Sequence, residues 1–344
     1  MRAALSTALS GEDLTALEAD LGRLNGLAPG LGDRAVRFVS CGTDFSVLVE
    51  IKGLGAAALE PFVRSHGVRY VERNALRRRA LVDVEAWRPA VLHRFAVVIE
   101  TMQDTAARYA YGKMDPKAPS WLRALIEEVN RVTRAGNRTV TEVSVKPFYS
   151  MPRLGELLVA AGEPKAALLH HLYGPKNYTT DRFSQRVEGL ADYLVENVDL
   201  VVATLPHLHA DGRERLMHDL GRLKIGTGVF FDMVFASAVG ASKTLRKAAR
   251  AMLQETPADS LLGKAAETLA SSSTEERRAT VELLAMLVGA PAADTLAAHS
   301  EREKSRAVRD AIAGALARVG AAPAAKTTEQ AACGMPAIAP HCGR

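Results

Sequence analysis

A short pattern, Ser-x-x-x-Arg-x-Ala, returns in the last third of the chain as Ser242/Arg246/Ala248, Ser273/Arg277/Ala279 and Ser305/Arg309/Ala311, at spacings of 31 and 32 residues. Another 31 residues upstream, Asp211 and Arg215 stand in the same register, with Met217 in the alanine slot. Each copy reads as the capped start of a helix, because a Ser or Asp side chain accepts hydrogen bonds from the free backbone N–H groups of the first turn. A fixed period of this size with only helical signals inside it predicts a repeat architecture, in which each unit buries its apolar face against its neighbours. Such arrays are mostly surfaces for binding, so recognition is expected here and catalysis is not.

Composition supports helices. Of the 344 residues 48% are hydrophobic and only 5% aromatic, with Ala and Leu filling most apolar positions, which favours closely packed helices over sheets. The 44 basic and 39 acidic residues leave a net charge of +5, a mild excess spread along the chain. Nucleic-acid binding asks for Lys and Arg gathered on one face, and the clearest local concentration is Arg69, Arg73, Arg77, Arg78 and Arg79, read as a solvated helix face. Three cysteines, Cys41, Cys333 and Cys342, make no disulfide framework, and no apolar segment follows Met1. A reducing, cytoplasmic setting is therefore expected, without a membrane span.

Along the chain, Leu14, Leu17, Leu21 and Leu24 mark a first helix. Residues 35–40 and 45–51 alternate enough to allow a short strand pair, which stays open beside a helical reading. Helices are expected over 57–66, 68–84, 90–110, 121–133 and 153–161. The helix over 90–110 carries Val91, Leu92, Phe95, Val98, Ile99 and Met102 on its apolar face. From 183 the pattern becomes regular: helix pairs 183–195 with 198–205, 213–223 with 229–239, and 243–253 with 261–269, then 275–288, 291–299 and 305–319. The expected organisation is an irregular, mainly helical region over 1–180, a repeat array over 181–320 and a disordered tail over 321–344. That tail lacks the polar capping unit an array end needs, so the chain is expected to be a short or truncated form of a longer protein.

In the copy from Ser305, Ala307, Val308, Ala311, Ile312, Ala315, Leu316 and Val319 share one helical stripe, while Arg306, Asp310 and Arg318 face away. The arginine of each copy (Arg215, Arg246, Arg277, Arg309) is expected to pair with an acidic residue or a carbonyl of the adjacent unit, forming a ladder along the stack. A rival reading lines the four up on an open surface that binds phosphate.

These residues resemble the HEAT family in its shorter, bacterial variety, close to the phycobilisome-lyase-type HEAT-like repeats, with units of about 30 rather than about 40–47 residues. The stretch from Glu301 through Ser305, Arg309, Ala311 and Ile312 to Gly320 is similar to the repeat of a large bacterial family related to the molybdate-metabolism-regulator protein and often joined to a WGR domain. The copy over 238–253 is similar too. No Trp-Gly-Arg tripeptide occurs in the sequence. The resemblance implies an all-α fold, a solenoid of stacked antiparallel helix pairs, and a family of unknown function.

No catalytic, cofactor or metal set can be assembled from spacing. His170-His171, His207-x-His209 and His218 offer nitrogen ligands, but no Cys or helical His-x-x-x-His pair completes a site, so they are read as loop and helix-surface residues. The stretch from Gly221 to Gly228 lacks the Gly-Lys-Ser/Thr ending of a phosphate loop and reads as a helix cap at Gly226. Glu127-Glu128 and Glu275-Glu276 are placed on exposed helix faces. Tyr173-Gly-Pro-Lys-Asn-Tyr, with Tyr173, Lys176, Asn177 and Tyr178, has the composition of a contact loop. The expected function is a non-enzymatic scaffold that binds a protein partner or another domain, without a cofactor. The alternatives are nucleic-acid binding, including helical-repeat DNA repair, or the regulatory front of a longer enzyme.

Overall fold

In the computed structural model the leucine stripe at the start is buried, with Leu17, Leu21 and Leu24 at most 1% exposed, and it builds helix α1 (Gly11–Leu21) and a following 3-10 turn, Gly22–Gly26. The structure describes residues 11–63, 87–105, 115–136, 150–175, 183–185 and 187–321. The basic cluster at 69–79, the expected helix over 68–84, Lys176, Asn177 and Tyr178, and all but the first residue of the tail lie outside the described residues. Among those described the chain is helical, with seventeen α-helices and a single isolated β-bridge, Ser150 to Glu188. No helix among them is long and apolar enough to cross a membrane.

The open choice over 35–51 falls to helix. Leu31, Ala35, Phe38 and Val39 come together on the buried face of α2 (Leu31–Cys41), a helical and not an alternating spacing. Gly42 ends this helix at φ 73°, and Arg94 covers its last carbonyls, donating to Val39 O at 2.7 Å and Ser40 O at 3.0 Å. Helices α3 (Ser46–Gly53) and α4 (Gly55–Val63) follow. Helix α5 (Pro89–Thr105) is the axis of this part: α2, α3, α4, α6 (Ser120–Gly136) and α7 (Met151–Ala161) all pack on it. Its six predicted core residues are at most 2% exposed. Each such Leu, Ile or Phe withdrawn from water contributes about 2 kcal/mol.

Helices α8 (Ala166–Leu172), α9 (Leu190–Glu196), α10 (Val198–Thr204) and α11 (Ala210–Arg222) complete the first part. The helix expected over 183–195 forms only from Leu190, after Gly189 at φ 72°. Helix α11 is closed by Lys224 in the left-handed conformation, φ 58°, and not by Gly226. Helix α12 (Phe231–Val239) contains the division between two compact units, residues 1–234 and 235–344. Helices α9 to α11 belong with the first unit: Met151 N–H donates to Glu188 O at 2.9 Å, and Tyr173 reaches Asp219.

The second unit holds α13 (Lys243–Met252), α14 (Ala258–Ser271), α15 (Thr274–Leu287), α16 (Ala293–Ser300) and α17 (Arg306–Ala321). Helix α15 packs on α14 and α17, and α16 on α14 and α17. Three helices begin one residue after Ser242, Ser273 and Ser305, where the sequence pattern places them. In α17 the buried stripe is narrower than expected: Val308, Ile312, Ala315 and Val319 are buried, whereas Ala307 is exposed.

Candidate functional site

The repeat positions do not all do the same thing. Ser273 makes a full capping box, its hydroxyl accepting from Glu276 N–H at 3.3 Å while Glu276 Oε2 accepts from Ser273 N–H at 3.0 Å. Ser242 precedes α13 without a side-chain cap. Asp211 is not a cap at all: α11 begins at Ala210, and His209 caps it by accepting the Asp211 N–H at 3.4 Å.

Of the four arginines, only Arg277 makes the expected rung to an acid of the next unit. Its Nε and Nη2 donate to Glu303 Oε2 and Oε1 at 2.8 and 3.1 Å, and its Nη1 donates to Ser272 O at 2.6 Å, closing the C-terminus of α14. Glu303 also accepts from Ser305 N–H at 2.8 Å and faces His299 Nε2 at 3.0 Å. These bonds, with Arg277 the largest influence, hold its carboxyl down at about 2. Arg246 instead closes the helix before it, donating to Gly240 O at 2.8 Å and Ala241 O at 3.2 Å. The Arg309 side chain is exposed and makes no hydrogen bond or ion pair among the described residues; its backbone N–H donates to Ser305 O at 3.0 Å. Arg215 lies in the first unit and reaches back to Gly174 O.

Sequence explains the difference. As far ahead of each arginine as Glu303 is of Arg277 stand Ala241, Ser272, Glu303 and Met335, so one register position alone offers a carboxylate. A rung that the pattern did not announce comes from Arg250, one turn after Arg246. It donates to Ala238 O of α12 at 3.0 Å and to Ala279 O of α15 at 3.4 Å, with Glu282 at 3.8 Å.

Of the expected contact residues Tyr173, Lys176, Asn177 and Tyr178, the first alone lies among the described residues. Tyr173 is fully buried, and its hydroxyl donates to Asp219 at 3.2 Å in an environment that raises its pKa well above the ordinary range, through burial and then the adjacent carboxylate. Gly212, Arg215 and Asp219 lie on one face of α11 and grip this segment. A Cβ on Gly212 would stand 1.6 Å from Tyr173 O, so only glycine lets the two backbones meet. Tyr173 is thus a packing residue, fixed by α11.

Beside it lies the arrangement with most chemical content. Asp115 Oδ2 is 2.8 Å from His170 Nδ1, and its Oδ1 accepts from Lys117 N–H at 2.9 Å. Both side chains are buried, at 8% and 4% exposure. The neighbouring Gly174 has no room for a Cβ, which would stand 2.8 Å from His170 O. Because a carboxylate only accepts, the Nδ1 of His170 carries a proton. His170 lines a cavity of about 640 Å³ with Lys117, Trp121, Glu163, Leu200 and His207 among its walls.

His171, next in the chain, is different: burial, and then the Arg123 charge, push it down to about 4, so it is neutral, edge-on to Phe183 at 5.5 Å. The two histidines placed on the surface by sequence are therefore interior. So is Glu128, at 1% exposure, and Glu127 pairs with Arg123 at 2.8 Å behind 8% exposure on each side chain. His209 and His218 stay at the surface, and no group of three His, Cys, Asp or Glu among the described residues could hold a metal ion. The dyad escaped sequence reading because Asp115 and His170 are 55 residues apart; the visible signal was polar His170-His171 inside the otherwise apolar run Ala-Ala-Leu-Leu-His-His-Leu. No family model, curated protein or solved structure matches the chain.

Proposed function

We propose that this chain is a non-catalytic binding protein whose second unit is a HEAT-like solenoid of the short bacterial type, presenting a semi-rigid helical surface to a protein partner. The observation that carries this reading is the Arg277–Glu303 bond: a residue at the repeat register crosses from one unit into the next and simultaneously closes the preceding helix at Ser272 O. The periodic residues are thereby used inside the stack. Outside it, Lys243, Lys247, Arg278, Arg302, Lys304, Arg306 and the register residue Arg309 are exposed, interspersed with exposed Glu275, Glu301 and Asp310. A mixed, charged, partly basic surface suits a protein partner reached through polar contacts.

The nucleic-acid alternative asks for Arg215, Arg246, Arg277 and Arg309 in one outward row. Three of these donate to protein carbonyls or to Glu303, which leaves Arg309 as the exposed member.

Affinity capture with the full chain, followed by recapture with a K243E/K247E variant and an R306E/R309E variant, tests the reading. Loss of an identified protein partner in a charge-reversed variant with an unchanged melting temperature supports it. A partner retained by both variants, or duplex DNA retained with a steep salt dependence, turns it down.

A further inference from the structure

We infer that the outer face of α17 docks a helix of another protein, one entered through an acidic Glu-x-Ser turn as α17 itself is entered through Glu303 and Ser305. This deepens the scaffold reading and rests on it, because the repeat register is the guide to which positions receive a following helix.

Three register positions on one side of the helix carry the argument. The first is the arginine. Arg277 of α15 takes Glu303, two residues before Ser305, whereas the Arg309 side chain of α17 is exposed without a hydrogen bond or ion pair among the described residues. The second stands four residues further on. In α13 it is Arg250, which reaches forward to Ala279 O of α15 at 3.4 Å; in α15 it is Val281, fully buried; in α17 it is Ala313, exposed. The third follows after three more residues: Leu253 and Leu284 are fully buried, and their counterpart Leu316 in α17 is only half-buried. Positions that are engaged or covered in the two earlier copies are thus open in α17, which packs on α15 and α16.

Charge defines the occupant. Arg302, Lys304, Arg306 and Arg309 are exposed where the chain enters α17, against Glu301 and Asp310, the latter 3.7 Å from Arg306. The excess is basic, so the complementary helix is acidic. A fork of two parallel bonds from a guanidinium to one carboxylate, as between Arg277 and Glu303, fixes the register of the incoming helix as well as holding it. Two copies of this face set against each other would bring like charges together, which favours a different protein over a second copy of the chain.

The probe is a fluorescein-labelled synthetic helix of about 20 residues, with Glu-x-Ser ahead of a stripe of Leu and Ala and with Glu on its other face. It is titrated against the full chain and followed by anisotropy. Saturable binding is expected, about tenfold weaker for the same peptide with Gln-x-Ser. Arg309→Glu should lose the Glu-x-Ser peptide and take up an Arg-x-Ser version of it. Ala313→Arg should weaken binding about tenfold, and because both positions are exposed the melting temperature should stay unchanged. Should either variant not fold, the Glu and Gln peptides on the unmodified chain still decide. No saturable binding, equal affinity for those two peptides, or full affinity in Ala313→Arg overturns the proposal. A dimer in sedimentation that Ala313→Arg dissolves would assign the face to a second copy and overturn it too. So would a rise in peptide affinity in Glu329→Gln, which would assign the face to residues 322–344, where Glu329 is the sole acidic side chain. A natural protein partner lost in K243E/K247E and retained in Ala313→Arg would keep the scaffold reading and end this one.

Discussion

Arg215 and Arg277 occupy the same register in the sequence and do opposite things. Arg277 reaches forward to Glu303 and ties two helix pairs of the second unit together. Arg215 reaches backward to Gly174 O within the first unit, where Gly212 and Asp219 on the same face of α11 grip the Tyr173 segment. A register position therefore specifies where a side chain leaves its helix, and the residues across from it decide what the side chain does. In the second unit that partner is a single carboxylate. In the first it is a carbonyl brought within reach by a missing Cβ.

The largest expected effect tests the first-unit side. Gly212→Ala puts a methyl group 1.6 Å from Tyr173 O, where backbone and not a flexible side chain must yield, and should cost about 3 kcal/mol. Both tryptophans, Trp87 and Trp121, are in the first unit, so their emission follows its unfolding. The urea midpoint by tryptophan emission should fall in this variant; an unchanged midpoint would break the contrast.

Acid separates the units further. His171, held at about 4 against an ordinary 6.5, binds its proton in the unfolded chain first. First-unit stability is therefore fully supported above pH 6.5 and is lost as pH falls towards 4. Glu303, held at about 2 against an ordinary 4.5, gives the second unit a contribution that is present above pH 4.5 and is lost only as pH falls towards 2. Tryptophan emission should thus respond to acid before far-ultraviolet circular dichroism has completed its change, and His171→Gln should flatten the response between pH 6.5 and 4.

Tyr173→Phe removes a hydrogen bond but keeps the ring in place, and Asp219 retains Arg222 at 2.9 Å. The expected loss is about 1 kcal/mol, again read by tryptophan emission. Smallest of all is Arg309→Ala. An exposed arginine whose side chain makes no bond among the described residues should change stability by no more than about 0.5 kcal/mol by circular dichroism, although it shares its register with Arg277.

Much of the helical order was legible because it rests on local periodicity. The stripe of α5 and the starts of α13, α15 and α17 needed no knowledge of distant residues. What could not be read depends on partners far away. Residues 35–40 and 45–51 alternate well enough for strands, but Ala35 with Val39 and Val47 with Ile51 are buried at helical spacing, the two helices pack on α5, and Arg94, more than fifty residues on, closes α2. His170 looked like a surface residue because Asp115, the group that makes its burial tolerable, lies outside any local window. Glu303 is legible in the sequence: of the residues that stand as far ahead of the four arginines, it alone is a carboxylate, which singles out Arg277 as the rung and leaves Arg246 and Arg309 without one.

Arg277 and Glu303 couple helix α15 to the segment that precedes α17. A double-mutant cycle over Arg277→Ala and Glu303→Ala, with unfolding of the second unit followed by circular dichroism, measures it directly. The bidentate geometry, at 2.8 and 3.1 Å with Glu303 buried, predicts a coupling of about 2 kcal/mol. Strictly additive losses, with no coupling between the two substitutions, would contradict it.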